Sequence, residues 1–296
     1  MKIEDQQQGG LEWPTLTLIL LCSALWLAAV WLIGRAEAWW ALPLLALPVA
    51  LHSSLQHEVI HDHPTRWRRL NDLLVFPAIG LFLPFHRFRD QHLDHHLDSE
   101  LTNPSSDPES PYVDAAVWQA MPGWRRQVLR LNQTLAGRLA FGPMVSMTRL
   151  IAGDIAAVRR GERRIAGQWL THLPALMPVI AWLWYCGVPV WLYALLAAYP
   201  GMSVLMLRTF AEHRWDEDVR GRSVIVERGG IFALLFLNNH LHAAHHFRPG
   251  LAWYRLPELA RSMRADGLVR GESFRSYGEM ARRYLFRIRG PIVRAG

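Results

Sequence analysis

Apolar residues along this chain fall into long uncharged runs rather than short alternating or amphipathic stretches. Residues 14–34 (PTLTLILLCSALWLAAVWLIG) carry no charged side chain and are long enough to span a bilayer, for which about 20 residues suffice. A second run, 39–55, follows Arg35 and Glu37 and leads almost directly into His57. Two late runs, about 169–187 and 188–210, are separated only by the turn around Gly187 and Pro189. The pattern predicts an all-α integral membrane protein with four transmembrane helices in two hairpins. The whole of 1–296 forms one domain, with a cytosolic helical cap from about 57–165 and 212–296. A soluble α/β domain with 51% hydrophobic residues would have no need of runs so long and so free of charge.

Between the hairpins the pattern changes. LLVFPAIGLFLPF (73–85) is apolar but too short to span, so it is expected to lie re-entrant or at the interface. DSELTNPSSDPESP (98–111) is a polar, proline-rich loop. Trp124, Val128, Leu131, Leu135 and Leu139 recur at helical spacing, with Arg125, Arg126, Arg130 and Arg138 on the remaining faces. Two readings stay open for that helix: it lies on anionic headgroups, or it packs within the cap.

Charge sets the orientation. Arg66, Arg68, Arg69, Arg87 and Arg89 follow the second run, more arginines fill 125–164, and the tail after 247 is also arginine-rich. The turns near 35 and 187 carry almost no positive charge, which predicts cytoplasmic termini and a cytoplasmic cap on a multi-pass inner (plasma) membrane protein. Part of the net charge of +7 is this topology signal, and part suits docking of an acidic partner. Nucleic acid is not an expected partner for so embedded a chain. The first run is no cleavable leader, because a second span follows at once and no small-residue cleavage site is evident. Cys22 and Cys186 both lie in apolar runs and imply no disulfide framework.

Candidate chemistry rests on histidine. Among the 14 histidines, His57 and His61 form H-x-x-x-H, while His92, His95, His96 and His242, His245, His246 form two H-x-x-H-H boxes. A random chain of this composition holds roughly 0.03 H-x-x-H-H matches, whereas a lone H-x-x-x-H is nearly expected by chance. On a helix these spacings gather the imidazoles of one box into one sector. Imidazole suits iron, zinc and copper alike, so ligand type alone does not select the metal. The number of histidines is enough for two ions. HEVIH (57–61) also matches H-E-x-x-H, which raises a membrane zinc protease with Glu58 as general base. That alternative leaves both H-x-x-H-H boxes without a role.

The three boxes, their order and their placement after the second and fourth runs resemble the membrane fatty acid desaturase and hydroxylase superfamily, most nearly its bacterial acyl-lipid desaturase-like branch. The resemblance covers about 45–260 and rests on HEVIH (57–61), HLDHH (92–96), and HAAHH (242–246) followed by RPGLAWYRLP. It implies metal ligation by His57, His61, His92, His95, His96, His242, His245 and His246. It adds His213 in RTFAEHR, at the cytosolic end of the last span; as a lone residue His213 is otherwise an ordinary polar group at a helix end. It implies two iron ions, dioxygen as co-substrate, a membrane lipid or acyl substrate, and electrons from a separate ferredoxin-like donor with a reductase. The chain itself has no dinucleotide glycine fingerprint and no cysteine set for a cluster.

The chemistry fits that resemblance. No side chain is basic enough to deprotonate an unactivated methylene, so breaking its C–H bond calls for a redox metal and dioxygen. Desaturation is the expected outcome; hydroxylation, ketolation and oxidative decarboxylation can follow the same first hydrogen abstraction. A non-enzymatic metal-handling protein remains a different class of reading. His52 offers an alternative pairing with His57, His63 and His240 are expected to support the site, and His86 and His172 lie at the interface. Glu58, Asp62, Asp94 and Glu212 are candidates for orienting ligand rings, and Asn238 or Asn239 for holding a metal-bound water.

Overall fold

The computed structural model describes residues 10–294. The first nine residues and the last two, which the topology expectation puts in the cytoplasm, lie outside the described residues. The fold is mostly helical. Helix α1 (Trp13–Arg35) is followed by a 3-10 turn over Trp39–Leu45 and then α2 (Ala46–Ile60). Pro43 sits within that turn, and its missing N–H explains why the second apolar run is not one regular helix. Helix α2 runs on past the end of the apolar run at 55 and carries His57, as the box spacing expects.

The cap elements are α3 (Arg68–Leu74), α4 (Phe85–Leu97), β1 (Val113–Asp114), α5 (Ala115–Ala120), α6 (Gly123–Asn132) and α7 (Leu135–Arg159). The helix expected from the spacing at 124–139 is broken at Thr134, whose hydroxyl accepts from the Gly137 N–H at 3.0 Å and so starts a new helix. Next come α8 (Arg163–Tyr185), α9 (Val190–Tyr193) and α10 (Tyr199–Glu212), the last two joined by a π-helical turn over Ala194–Ala198. Pro200, which lacks an N–H, follows that turn directly. The chain ends with β2 (Ile225–Arg228), α11 (Ile231–Leu235), α12 (His242–Phe247), α13 (Leu256–Ala265), β3 (Ser273–Ser276), α14 (Tyr277–Tyr284) and β4 (Val293–Arg294). Strands β2 and β3 pair in parallel, as do β1 and β4.

Two stretches, Trp13–Arg35 and Val190–Glu212, are long and apolar enough to cross a membrane. The outward face of the first is apolar too, with Leu20, Leu21, Leu25 and Leu32 of α1 exposed, and α8, outside these two stretches, likewise exposes Leu170, Leu173, Met177 and Trp184. Contiguous apolar surface on this scale is what lipid contact requires. The inner faces meet in a core around Trp26, Val30, Leu42, Val179, Leu183 and Tyr193.

Segment 75–84 enters that core rather than lying on it: Val75 and Ile79 are buried, and the Ala78 N–H donates to the Ala175 carbonyl of α8 at 3.0 Å. Its free carbonyls are met by side chains, Ile79 O by the Tyr193 hydroxyl at 2.9 Å and Leu81 O by His172 Nε2 at 2.7 Å. Buried irregular backbone needs its polar groups satisfied, and here side chains of the bundle do so.

Close helix contact sets the site. A Cβ on Gly201 would lie 2.4 Å from a Val49 methyl, so glycine there is what lets α10 approach α2. These two helices end at His213 and His61, respectively.

Candidate metal centre

Four segments deliver nine imidazoles to one place. Helix α2 presents His57 in its last turn, and His61 just beyond its end. Helix α4 presents His92, His95 and His96, and the short α12 presents His242, His245 and His246. At His213 the chain has left α10 and is extended, bridging to Ser223, which turns the ring toward the other boxes. Every histidine assigned to a metal role from the sequence is therefore in the cluster.

The rings divide into two groups. His57, His61, His92 and His245 offer nitrogens that all lie within 4.8 Å of one another, and so do His95, His213, His242 and His246. His96 joins the first group, its Nε2 lying 3.0 Å from both His92 Nε2 and His245 Nε2. Its ring also stacks on His246 with centroids 4.3 Å apart, so the two groups adjoin.

Proton placement shows what these nitrogens await. His95 Nδ1 donates to Asp107 at 2.7 Å, His242 Nδ1 to Asn239 Oδ1 at 3.0 Å, and His213 Nδ1 to the Arg222 carbonyl at 3.3 Å. A neutral imidazole has one N–H, so Nε2 of His242 and of His213 is a bare lone pair, whereas His95, held protonated by its carboxylate neighbours, donates from Nε2 to His213 Nε2 at 3.1 Å. Yet His213 Nε2 also lies 2.8 Å from His242 Nε2. Lone pairs facing each other at this distance repel, and a shared cation removes the repulsion. In the first group His92 Nδ1 is similarly directed to Glu109 at 3.1 Å, leaving its Nε2 to face His61 Nε2 at 3.2 Å. His57 Nε2 is buried with no hydrogen-bond partner.

Electrostatics agree. Burial first, and the neighbouring imidazoles next, hold His57, His61, His245 and His246 well below the ordinary histidine range, which keeps them unprotonated for a metal. His96 is lowered to about 2 for the same reasons. His95 goes the other way: burial disfavours its charge, but Glu109 and Asp107 outweigh burial and raise it to about 9. Burial would raise Glu109, yet His92 and His95 hold it well below the carboxylate range.

The groups that orient the rings are only partly those expected. Glu212 has the expected place, accepting from Asn239 Nδ2 at 3.0 Å while Asn239 accepts from His242; Arg208 pairs with Glu212 at 2.8 Å. Asn239 thus holds His242 by its oxygen, and Asn238 Nδ2 donates to the Trp253 carbonyl. Glu58 accepts from the Trp253 N–H at 2.8 Å and faces His63; it belongs to neither histidine group, which leaves the protease reading without its general base. Asp62 faces Arg68 in solvent, and Asp94 is exposed. Asp107 and Glu109 take the ring-orienting role instead. They sit in the 98–111 loop, where only carboxylates at alternate positions beside a proline hinted at them.

Among the other histidines, His63 Nδ1 pairs with Glu12 at 2.8 Å and ties the start of α1 to the turn after box one. His52, His86, His172 and His240 belong to neither imidazole group.

The family model for fatty acid desaturases matches residues 37–278, most of the chain. No curated protein matches the chain. The chain belongs to the fatty acid desaturase family. Family and site together define an oxidoreductase of the desaturase and hydroxylase kind, with histidine groups able to hold metal ions.

Proposed function

We propose that this protein is a four-span membrane di-iron enzyme that desaturates a fatty acyl chain with dioxygen and externally supplied electrons. The observation that carries the metal reading is the spacing of bare Nε2 atoms. Nε2 atoms of neighbouring rings stand 2.8–3.2 Å apart, a crowding of acceptors that a shared cation would relieve. The group around His57 gathers five imidazoles, one more than a tetrahedral zinc site takes.

His57, His61, His92, His96 and His245 would hold one iron, and His95, His213, His242 and His246 the other. When bound, the irons supply the electron transfer that couples dioxygen reduction to removal of hydrogen from an unactivated methylene. The protein's part is positional. Asp107, Glu109, Asn239 and the Arg222 carbonyl fix the ring planes and keep the protons on Nδ1. Ile19, Leu55, Val59, Val75, Phe85 and Leu237 pack into a buried apolar cluster beside box one that keeps water from that side of the rings.

The electron count closes with dioxygen reduced to two waters. Two electrons come from the two C–H bonds as the double bond forms, and two come with two protons from an external carrier. Spans near 14–34, 39–55, 169–187 and 188–210, with the boxes on the cytoplasmic side of the inner membrane, bring that carrier to the arginine-rich face. Lipid mass spectrometry of cells expressing the protein against a His92→Ala variant tests the reading. A product lighter by two hydrogens supports desaturation. A product heavier by one oxygen replaces it with hydroxylation, and no oxidised lipid removes both.

A further inference from the structure

Helix α7 has three sides of different character. Phe141, Met144, Ile151, Ile155 and Val158 line one side for about five turns, each between 40% and 48% exposed. Ser146, Arg149 and Gly153 lie on the adjoining side and are exposed too. The third side meets the protein. There Asp154 accepts from Arg87 Nε at 2.9 Å and from Trp169 Nε1 at 2.9 Å, which fastens the helix to α4 and α8, and Gly142 lies against Met206 of α10.

An apolar stripe of this length is out of place against water. Helix α8, joined to α7 by the turn at 160–162, exposes Leu170, Leu173 and Met177 as well. Around that turn stand Arg159, Arg160, Arg163 and Arg164, all exposed. Arg160 pairs with Glu162 and Arg164 with Asp90, while Arg159 and Arg163 have no ion-pair partner among the described residues. This charge complements the phosphates of an anionic lipid surface, at the place where two apolar helix faces reach it. A course for α7 across the bilayer does not fit, because Arg149, near the middle of the helix, would then stand in hydrocarbon.

We propose that α7 lies in the plane of the membrane, with its stripe sunk among the acyl chains of the cytoplasmic leaflet and Ser146, Arg149 and Gly153 turned to water. An apolar side beside a polar, basic one is what a helix at that boundary requires. The inference rests on the membrane reading above and adds to its four spans a fifth membrane element. It also sets the height of the metal centre. Leu135 shares a core with Phe210, and Gly142 lies against Met206, so the leaflet surface meets α10 near those residues. From Met206 to His213 is about two turns of helix, which puts the imidazoles just outside the acyl region.

Nitroxide labels on single cysteines test this in the full chain, held in nanodiscs of mixed phosphatidylcholine and phosphatidylglycerol. Phe141→Cys, Ile151→Cys and Val158→Cys sample the stripe, Ser146→Cys and Gly153→Cys the adjoining side, and Leu25→Cys the outward face of α1. All six positions are exposed, so the changes leave the core intact, and the native chain, whose Cys22 and Cys186 are buried, sets the label background. Dissolved oxygen partitions into lipid and a nickel chelate stays in water, so the relaxation each causes reports where a label stands. Stripe labels should relax several-fold more with oxygen than with the chelate, all at one shallow depth, and Ser146→Cys and Gly153→Cys should show the reverse. Stripe labels open to the chelate would overturn the proposal, and so would a depth that grows steadily from 141 to 158, the mark of a span. Labels shielded from both reagents and broadened by a neighbouring spin would overturn it too, because a second copy of the chain then covers the stripe. Leu25→Cys keeps the two readings apart: lipid there with water at the stripe sinks the in-plane helix alone, whereas water at both sinks the membrane reading.

Discussion

Asp107→Asn is the sharpest single perturbation of the centre. The carboxylate is 2% exposed and receives three N–H groups: His95 Nδ1 at 2.7 Å, the Thr102 backbone at 2.7 Å and the Glu109 backbone at 2.8 Å. Asparagine keeps the shape but turns one oxygen into a donor, so at least one buried N–H meets another, at a cost of about 1–3 kcal/mol. Alanine leaves all three unmet and is expected to unfold the loop, which makes asparagine the informative change. Loss of a ring-orienting partner typically weakens metal binding by about 10–100-fold. That loss should fall on the group containing His95, while the group around His57 and His245 is left near its native affinity. Iron(II) titration of apo-protein by calorimetry, fitted to two sites, reads the difference, with a thermal melt alongside. If Asp107→Asn binds both metals with native affinity and only its stability falls, Asp107 merely braces the loop and the positioning argument fails.

Three other outcomes follow from the same geometry. His213→Ala should lose one of two irons and nearly all turnover, whereas His63→Ala and His172→Ala should keep both irons; metal analysis checks this, and two irons in His213→Ala would remove it from the ligand set. Because His95 is raised to about 9 while burial and neighbouring imidazoles hold His213, His242 and His246 well below 6.5, metal uptake at that group must displace a proton from His95. Affinity there should therefore rise about tenfold per pH unit up to about 9 and then level, and calorimetry in buffers of different ionisation enthalpy should count one proton released; no proton release at pH 7 would contradict it. Turnover is expected to require a separate electron donor and to weaken as salt screens the arginine-rich face beyond about 8 Å; turnover by the isolated chain with a nicotinamide and dioxygen alone would refute this.

The boxes were legible in the sequence because helical spacing alone turns His92, His95 and His96, and likewise His242, His245 and His246, into one sector each. His213 carried no local pattern, and only its place at the end of the last apolar run pointed to it. The division of α4's histidines was not legible: His92 and His96 face one group and His95 the other, because residues three and four apart splay to opposite sides of their shared face. Asp107 and Glu109 escaped notice because a loop folds back through its own hydrogen bonds, Asp107 to Thr102 and Gln91 to Pro108, and no periodicity encodes that. The acidic neighbours favoured from the sequence, Asp62 and Asp94, are adjacent to ligands along the chain yet point to solvent. Segment 75–84 was recognisable by its length, but the side chains that satisfy its backbone, Tyr193 and His172, come from helices more than ninety residues away.

The central claim is that two adjoining imidazole groups each hold one iron. Metal analysis of the purified protein, beside His245→Ala and His242→Ala, tests it most directly. The native protein should carry two irons per chain, and each variant one, with His245→Ala emptying the group around His57 and His242→Ala the group around His95. A single zinc in the native protein, or two irons retained in either variant, would contradict it.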